Sequence, residues 1–192
     1  MSTGVLAADK IKFAPELPGR QRDAIAKLSL GAYDHVALEL KGNPLQAQND
    51  DLIFEKPSSA RTAALLANVS GTPLCMVEIA GKFGRELSQA GEAAMVDFAT
   101  GWLAELYGAD IRKAVGKTHA TRWASDPWAL GAFSAAAPGG QPGRRTLMDP
   151  VRERLFFAGE AVHETLWGTV GGAWESGERA ADAALKLWGG RR

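Results

Sequence analysis

The stretch from Leu155 to Gly177 carries the residue types whose spacing could do chemistry. The apolar run Leu155-Phe156-Phe157-Ala158 ends in Gly159-Glu160, and a loop then leads to a helix start almost free of side chains. Gly168, Gly171, Gly172 and Ala173 there let another group approach the backbone closely. The N–H groups of a first helical turn lack partners within the helix and favour negative charge. Two uses fit this pattern: holding an anionic ligand, or tight packing of helix on sheet. Other candidates are thinner. His119 and His163 are not at ligand spacing with any Cys, and His163-Glu164 lacks the second His of a zincin, so no metal is expected. No Ser/His/Asp order suggests a hydrolase. Arg144-Arg145 and Arg191-Arg192 read as solvated surface, and Asp50-Asp51 as a solvated turn. Gly139-Gly140-Gln141-Pro142-Gly143 has the wrong spacing for a dinucleotide turn, and no G-x-G-x-x-G occurs.

These residues need a frame. Met1–Leu6 reads as extended, and Gln21–Leu28 as a short helix. Val36–Leu40 alternates as a strand, followed by strands at 52–55, 64–69 and 74–79. Ser70-Gly71-Thr72-Pro73 predicts a hairpin turn between the last two. Met95, Phe98, Trp102 and Leu106 lie at helical spacing, predicting one helix over 88–106 with Gly108 just past its end. Residues 117–123 alternate as a strand, 127–143 read as loop, and 155–158 as a strand buried on both faces. A last helix is predicted over 169–188, with Val170, Ala173, Trp174, Gly177, Ala181, Ala184 and Trp188 on one broad face.

The chain has 192 residues, 46% hydrophobic and 23% charged, a globular composition long enough for a real core. Lys+Arg and Asp+Glu both number 22, which argues against nucleic acid as a partner. The single Cys75 excludes an intrachain disulfide framework and reads as a core thiol. No apolar run is long enough to span a membrane and no signal peptide opens the chain, so a cytoplasmic location is expected.

Phe157-Ala158-Gly159-Glu160, followed by Trp167-Gly-Thr-Val-Gly-Gly-Ala-Trp-Glu-Ser-Gly-Glu-Arg-Ala-Ala181, resembles the C-terminal flavin motif of the flavin-containing amine oxidases. That family includes monoamine oxidases, polyamine oxidases and flavin-dependent histone demethylases. Thr121-Arg-Trp-Ala-Ser-Asp-Pro-Trp128 with Gly131-Ala-Phe-Ser134 is similar to the family's Trp-x-x-Asp-Pro-Trp and Gly-Ser-Tyr-Ser pattern. Ile11-x-Phe13-x-Pro15-x-Leu-Pro18 and Leu28-x-x-Gly31 resemble its entry into the substrate domain. The blocks stand in family order over nearly the whole chain. The resemblance implies an α+β fold: a mixed, mostly antiparallel substrate-domain sheet with helices, plus a C-terminal strand and helix of an incomplete Rossmann-like FAD-binding domain. It implies domains at 1–12 (FAD-domain strand), 13–149 (substrate binding) and 150–192 (FAD binding).

It also implies roles. Gly159 and Glu160 would meet the FAD ribityl-pyrophosphate region. Backbone N–H groups at Thr169 and Val170 would meet the N1/C2=O edge of the flavin, and Trp128 would wall it. Trp123, Phe133 and Thr169 would face a small amine substrate. Core packing is the alternative for each Trp. Three departures accompany these roles. His35 stands where the family usually has a water-holding Lys; it is the catalytic candidate, with a half-buried strand histidine as the alternative. Phe133 and Thr169 occupy the two aromatic-cage positions, so the cage is at most half present. Ala132 stands where covalent members have Cys, so FAD would be noncovalent. The implied activity is oxidation of a C–N bond by hydride transfer to flavin. Without G-x-G-x-x-G, the chain resembles about the C-terminal two-fifths of such an enzyme, within ordinary domain sizes. The alternative is a noncatalytic truncated or split chain that needs a separate FAD-binding partner.

Overall fold

The computed structural model describes residues 1–189. Arg191-Arg192 lie outside the described residues. The chain divides into two compact units: residues 1–31 with 126–192, and residues 32–125.

Unit 32–125 is built on a five-stranded antiparallel sheet, ordered β3-β4-β5-β2-β6. Its strands are β2 (Tyr33–Leu40), β3 (Asp51–Phe54), β4 (Ala64–Ala67), β5 (Leu74–Ala80) and β6 (Val115–Ala120). Alternation decides which face is covered. Asp34, Val36, Leu38 and Leu40 are buried, whereas Tyr33, His35, Ala37 and Glu39 stand half exposed. The buried row joins Leu65, Cys75, Val77 and Ile79 against Met95, Ala99, Trp102 and Leu103. Cys75 is free and buried, as expected, and burial raises its thiol pKa. The predicted hairpin is present: β4 and β5 pair antiparallel, with Leu65 opposite Val77.

The single helix expected over 88–106 is two helices, α3 (Gly81–Ala90) and α4 (Glu92–Tyr107). Gly91 separates them at φ 108°, a left-handed backbone that ends one helix before the next begins. Gly108 follows α4 as expected, at φ 93°.

Unit 1–31/126–192 has less sheet. Its named strands are β1 (Leu28–Leu30) and β7 (Ser134–Ala136), which pair antiparallel. Its helices are α1 (Thr3–Ala7), α2 (Gly19–Lys27), α5 (Pro142–Met148) and α6 (Val170–Gly189). Ala24, Ile25, Leu28, Leu147, Val151, Phe157 and Val162 form its core. The unit boundaries fall at 31/32 and 125/126, where α2 packs on α5 and β1 pairs with β7.

Three local expectations are corrected here. Residues 3–7 are helical, not extended: Ser2 caps α1 by accepting from the Val5 N–H at 3.4 Å. The strand expected over 155–158 is reduced to one antiparallel bridge, Val151 to Leu155. No described strand lies beside it to extend a ladder; instead Ala158 O accepts from the Met1 amino group at 3.0 Å. The loop expected over 127–143 contains β7 and the start of α5, where Pro142 fits a first helical turn.

Candidate functional site

The helix start at residue 170 is set by Thr169. Its hydroxyl donates to Leu166 O at 2.7 Å and accepts from the Gly172 N–H at 3.0 Å. One first-turn donor is therefore already taken, and the Thr169 side chain is committed to the cap. The neighbouring glycines divide the two uses left open by the sequence. A Cβ on Gly172 would lie 2.1 Å from Leu166 O, so Gly172 serves packing. A Cβ on Gly171 would meet nothing nearer than Thr169 Oγ1 at 4.0 Å, so its surroundings are open. Val170 beside it is 88% exposed.

Glu160 organises the approach to that helix. Its Oε1 accepts from the Ser134 N–H at 2.9 Å. Its Oε2 accepts from Ser134 Oγ at 2.7 Å and from the Gly168 N–H at 2.8 Å. Three donors leave room for one more, since a carboxylate offers roughly four acceptor positions. The Phe133 ring lies beside Gly168, 3.6 Å from where a Cβ would stand. Gly168 has φ 72°, a conformation that favours glycine. Glu160 thus brings together the neighbourhoods of Phe133 and Thr169. Gly159, at φ 137°, joins α6 through Ser176: its N–H donates to Ser176 Oγ at 2.8 Å. Trp128 is 84% exposed, and its N–H donates to Asp126 Oδ1 at 2.7 Å. Asp126 also accepts from Ala129, so this acid shapes a local turn.

In unit 32–125, His35 is held by its backbone. Its N–H donates to Thr121 Oγ1 and its carbonyl accepts from the Thr121 N–H, both at 2.9 Å. Its ring meets Tyr33 edge-on at 5.2 Å. The Tyr33 hydroxyl donates to Glu78, the register partner of His35 on β5. Burial, then Glu78, pushes the Tyr33 pKa up to about 12. The Trp123 N–H donates to buried Asp34 Oδ1 at 2.9 Å, and Thr121 Oγ1 donates to the same oxygen at 3.0 Å.

Two buried charged groups escaped the sequence reading, Asp34 and Arg144. Asp34 carried a signal: a carboxylate in the core-facing row of β2. Arg144 carried none. It was expected on the solvated surface with Arg145, yet it is 0% exposed, while Arg145 is exposed and pairs with Glu164 at 3.1 Å. The broad face expected on α6 is also corrected, since Val170, Trp174 and Trp188 are exposed and Gly172 and Ser176 are the buried positions. No cluster of metal-ligating side chains occurs among the described residues.

The sequence profile of the family described as "Flavin containing amine oxidoreductase" matches residues 1–185. The chain belongs to that family. It is 30% identical over 186 residues to polyamine oxidase 4 of Oryza sativa subsp. japonica, covering 95% of this chain and 37% of that protein. It is 30% identical over 187 residues to lysine-specific histone demethylase 1 homolog 3 of Arabidopsis thaliana, covering 93% and 11%. Its fold is similar to cyclohexylamine oxidase from Brevibacterium oxydans IH-35A, with TM-score 0.73 and 22% identity over 97% of this chain and 42% of that one. The chain therefore spans well under half the length of these relatives. No described helix is long and apolar enough to cross a membrane.

Proposed function

We propose that this chain is the substrate-binding and C-terminal flavin-binding portion of an FAD-dependent amine oxidase. The family match over residues 1–185 carries the reading. In it, residues 13–149 serve the substrate, and 1–12 with 150–192 serve FAD. A cytoplasmic location goes with it.

The residues present fit a flavin. The surroundings of Gly171 are open, Val170 is exposed, and Glu160 Oε1 has an acceptor position to spare for a ribityl hydroxyl. Bound FAD supplies the acceptor for a hydride from the carbon next to the amine nitrogen. The chain's own groups do the rest. Backbone N–H groups at the α6 start stabilise negative charge. Phe133 and Trp123 offer apolar surface to the amine, and Trp128 to the ring system of the cofactor. The His35 imidazole holds a water or moves a proton. Ala132 leaves FAD noncovalent.

Flavin fluorescence quenching with the purified chain tests this reading, followed by mixing with a panel of amines. Stoichiometric binding and bleaching of the flavin band by an amine are expected. A second reading is a noncatalytic chain that binds FAD only with a further polypeptide carrying the dinucleotide fold. The exposure of Trp174, Leu185 and Trp188 along α6 favours it. A chain that stays colourless alone and turns yellow on co-expression with such a polypeptide supports the second reading.

A further inference from the structure

Arg144 lies on α5, outside every motif block, and is fully buried. Its Nη1 donates to Ser134 Oγ at 2.7 Å and to Ala161 O at 2.9 Å. Its Nη2 reaches Ser134 O at 3.4 Å, and its Nε donates to Gln141 Oε1 at 3.1 Å. The guanidinium carbon stands 5.0 Å from the Trp167 ring centroid. One side chain thus touches β7, the turn at residue 161 and the loop before α6. Through Ser134 Oγ it reaches Glu160 Oε2, which holds the Gly168 N–H. Phe133 precedes Ser134, and Thr169 follows Gly168.

A guanidinium taken out of water is costly and keeps its place only where its donors are taken up, as they are at Arg144. Here burial pulls the guanidinium below the ordinary arginine range, and Glu160 opposes that shift. We propose that Arg144 is a positioning residue: acting through Ser134 and Glu160, it sets the spacing of the Phe133 and Thr169 positions. It does so with a planar fork of donors that a lysine cannot reproduce. Its consequence for flavin rests on the reading above; the positional claim does not.

The test is amide hydrogen exchange on the full chain with Arg144→Ala, Arg144→Lys and Ser134→Ala. Arg144→Ala is expected to speed exchange at Ser134 and Gly168 about tenfold, the factor that loss of an ordinary buried hydrogen bond gives. Val36 and Val77 should not change. Added ethylguanidinium should restore protection and ethylammonium should not. Wild-type protection in Arg144→Lys, or restoration by both cations, would overturn the proposal. Ser134→Ala keeps both charged groups and removes only the relay, so it decides the matter where Arg144→Ala fails to fold: unchanged Gly168 exchange refutes the proposal. FAD titration separates the two readings. A wild-type chain that binds no FAD sinks the flavin reading, and the exchange result alone then judges the proposal. FAD affinity and flavin absorbance identical in Ser134→Ala and wild type overturn its functional half.

Discussion

The two units hold their site residues by different means. In 32–125, an apolar layer under a five-stranded sheet fixes the backbone, and Asp34 adds two hydrogen bonds at one end. In 1–31/126–192, the loops around residues 133, 160 and 168 have little ladder to rest on. Polar side chains do that work instead: Arg144, Glu160 and Ser176 take up backbone groups that strands would otherwise pair. The difference teaches where each unit is fragile. The first is sensitive to lost volume, the second to lost hydrogen bonds.

Substitutions in both units can break or sharpen that contrast. Arg144→Met should cost the most, about 3–5 kcal/mol, because it leaves Ser134 Oγ and Ala161 O without their buried donor, at ~1–3 kcal/mol each. Chemical denaturation followed by exchange should locate the loss in 1–31/126–192. Leu38→Ala should cost about 2–5 kcal/mol and act in 32–125. An equal loss of protection in both units after either change would erase the distinction. Asp34→Ala should cost roughly 1–3 kcal/mol by leaving the Trp123 N–H without its acceptor; Asp34→Asn, which still accepts, should recover most of it. The smallest effect is Tyr33→Phe at neutral pH. Its sign follows from a folded-state pKa of about 12, above the ordinary value of 10.0. The stability that goes with neutral Tyr33 is complete below 10.0 and is lost as pH rises toward 12. The wild-type melting temperature should therefore fall more steeply over that window than that of Tyr33→Phe. In Tyr107→Phe, Tyr33 is the only tyrosine left, and its phenolate absorbance should rise near 12.

The same contrast explains what the sequence disclosed. Period-two alternation along 33–40 marked both the strand and its buried face, because one side chain in two must leave water. Turn chemistry at 70–73 marked the hairpin. The motif blocks singled out Glu160 and Trp123, but not what holds them. Arg144 has no local signature: its partners lie at 134, 141, 161 and 167, and only Gln141 is a helical neighbour. The run 155–158 reads as a strand from composition alone, but a strand also needs a neighbour. The break at Gly91 was legible only as a glycine, since Gly101 inside α4 carries the same letter without breaking the helix.

Residues 32–125 form an uninterrupted length of chain, whereas the other unit is written in two pieces around them. On a ribosome the sheet can therefore close while β1 still lacks a mate: Ser29 meets Ala135, 106 residues later. Pairings that distant pay their loop entropy late. The Phe133–Thr169 neighbourhood is thus assembled only after all of 32–125 has been synthesised.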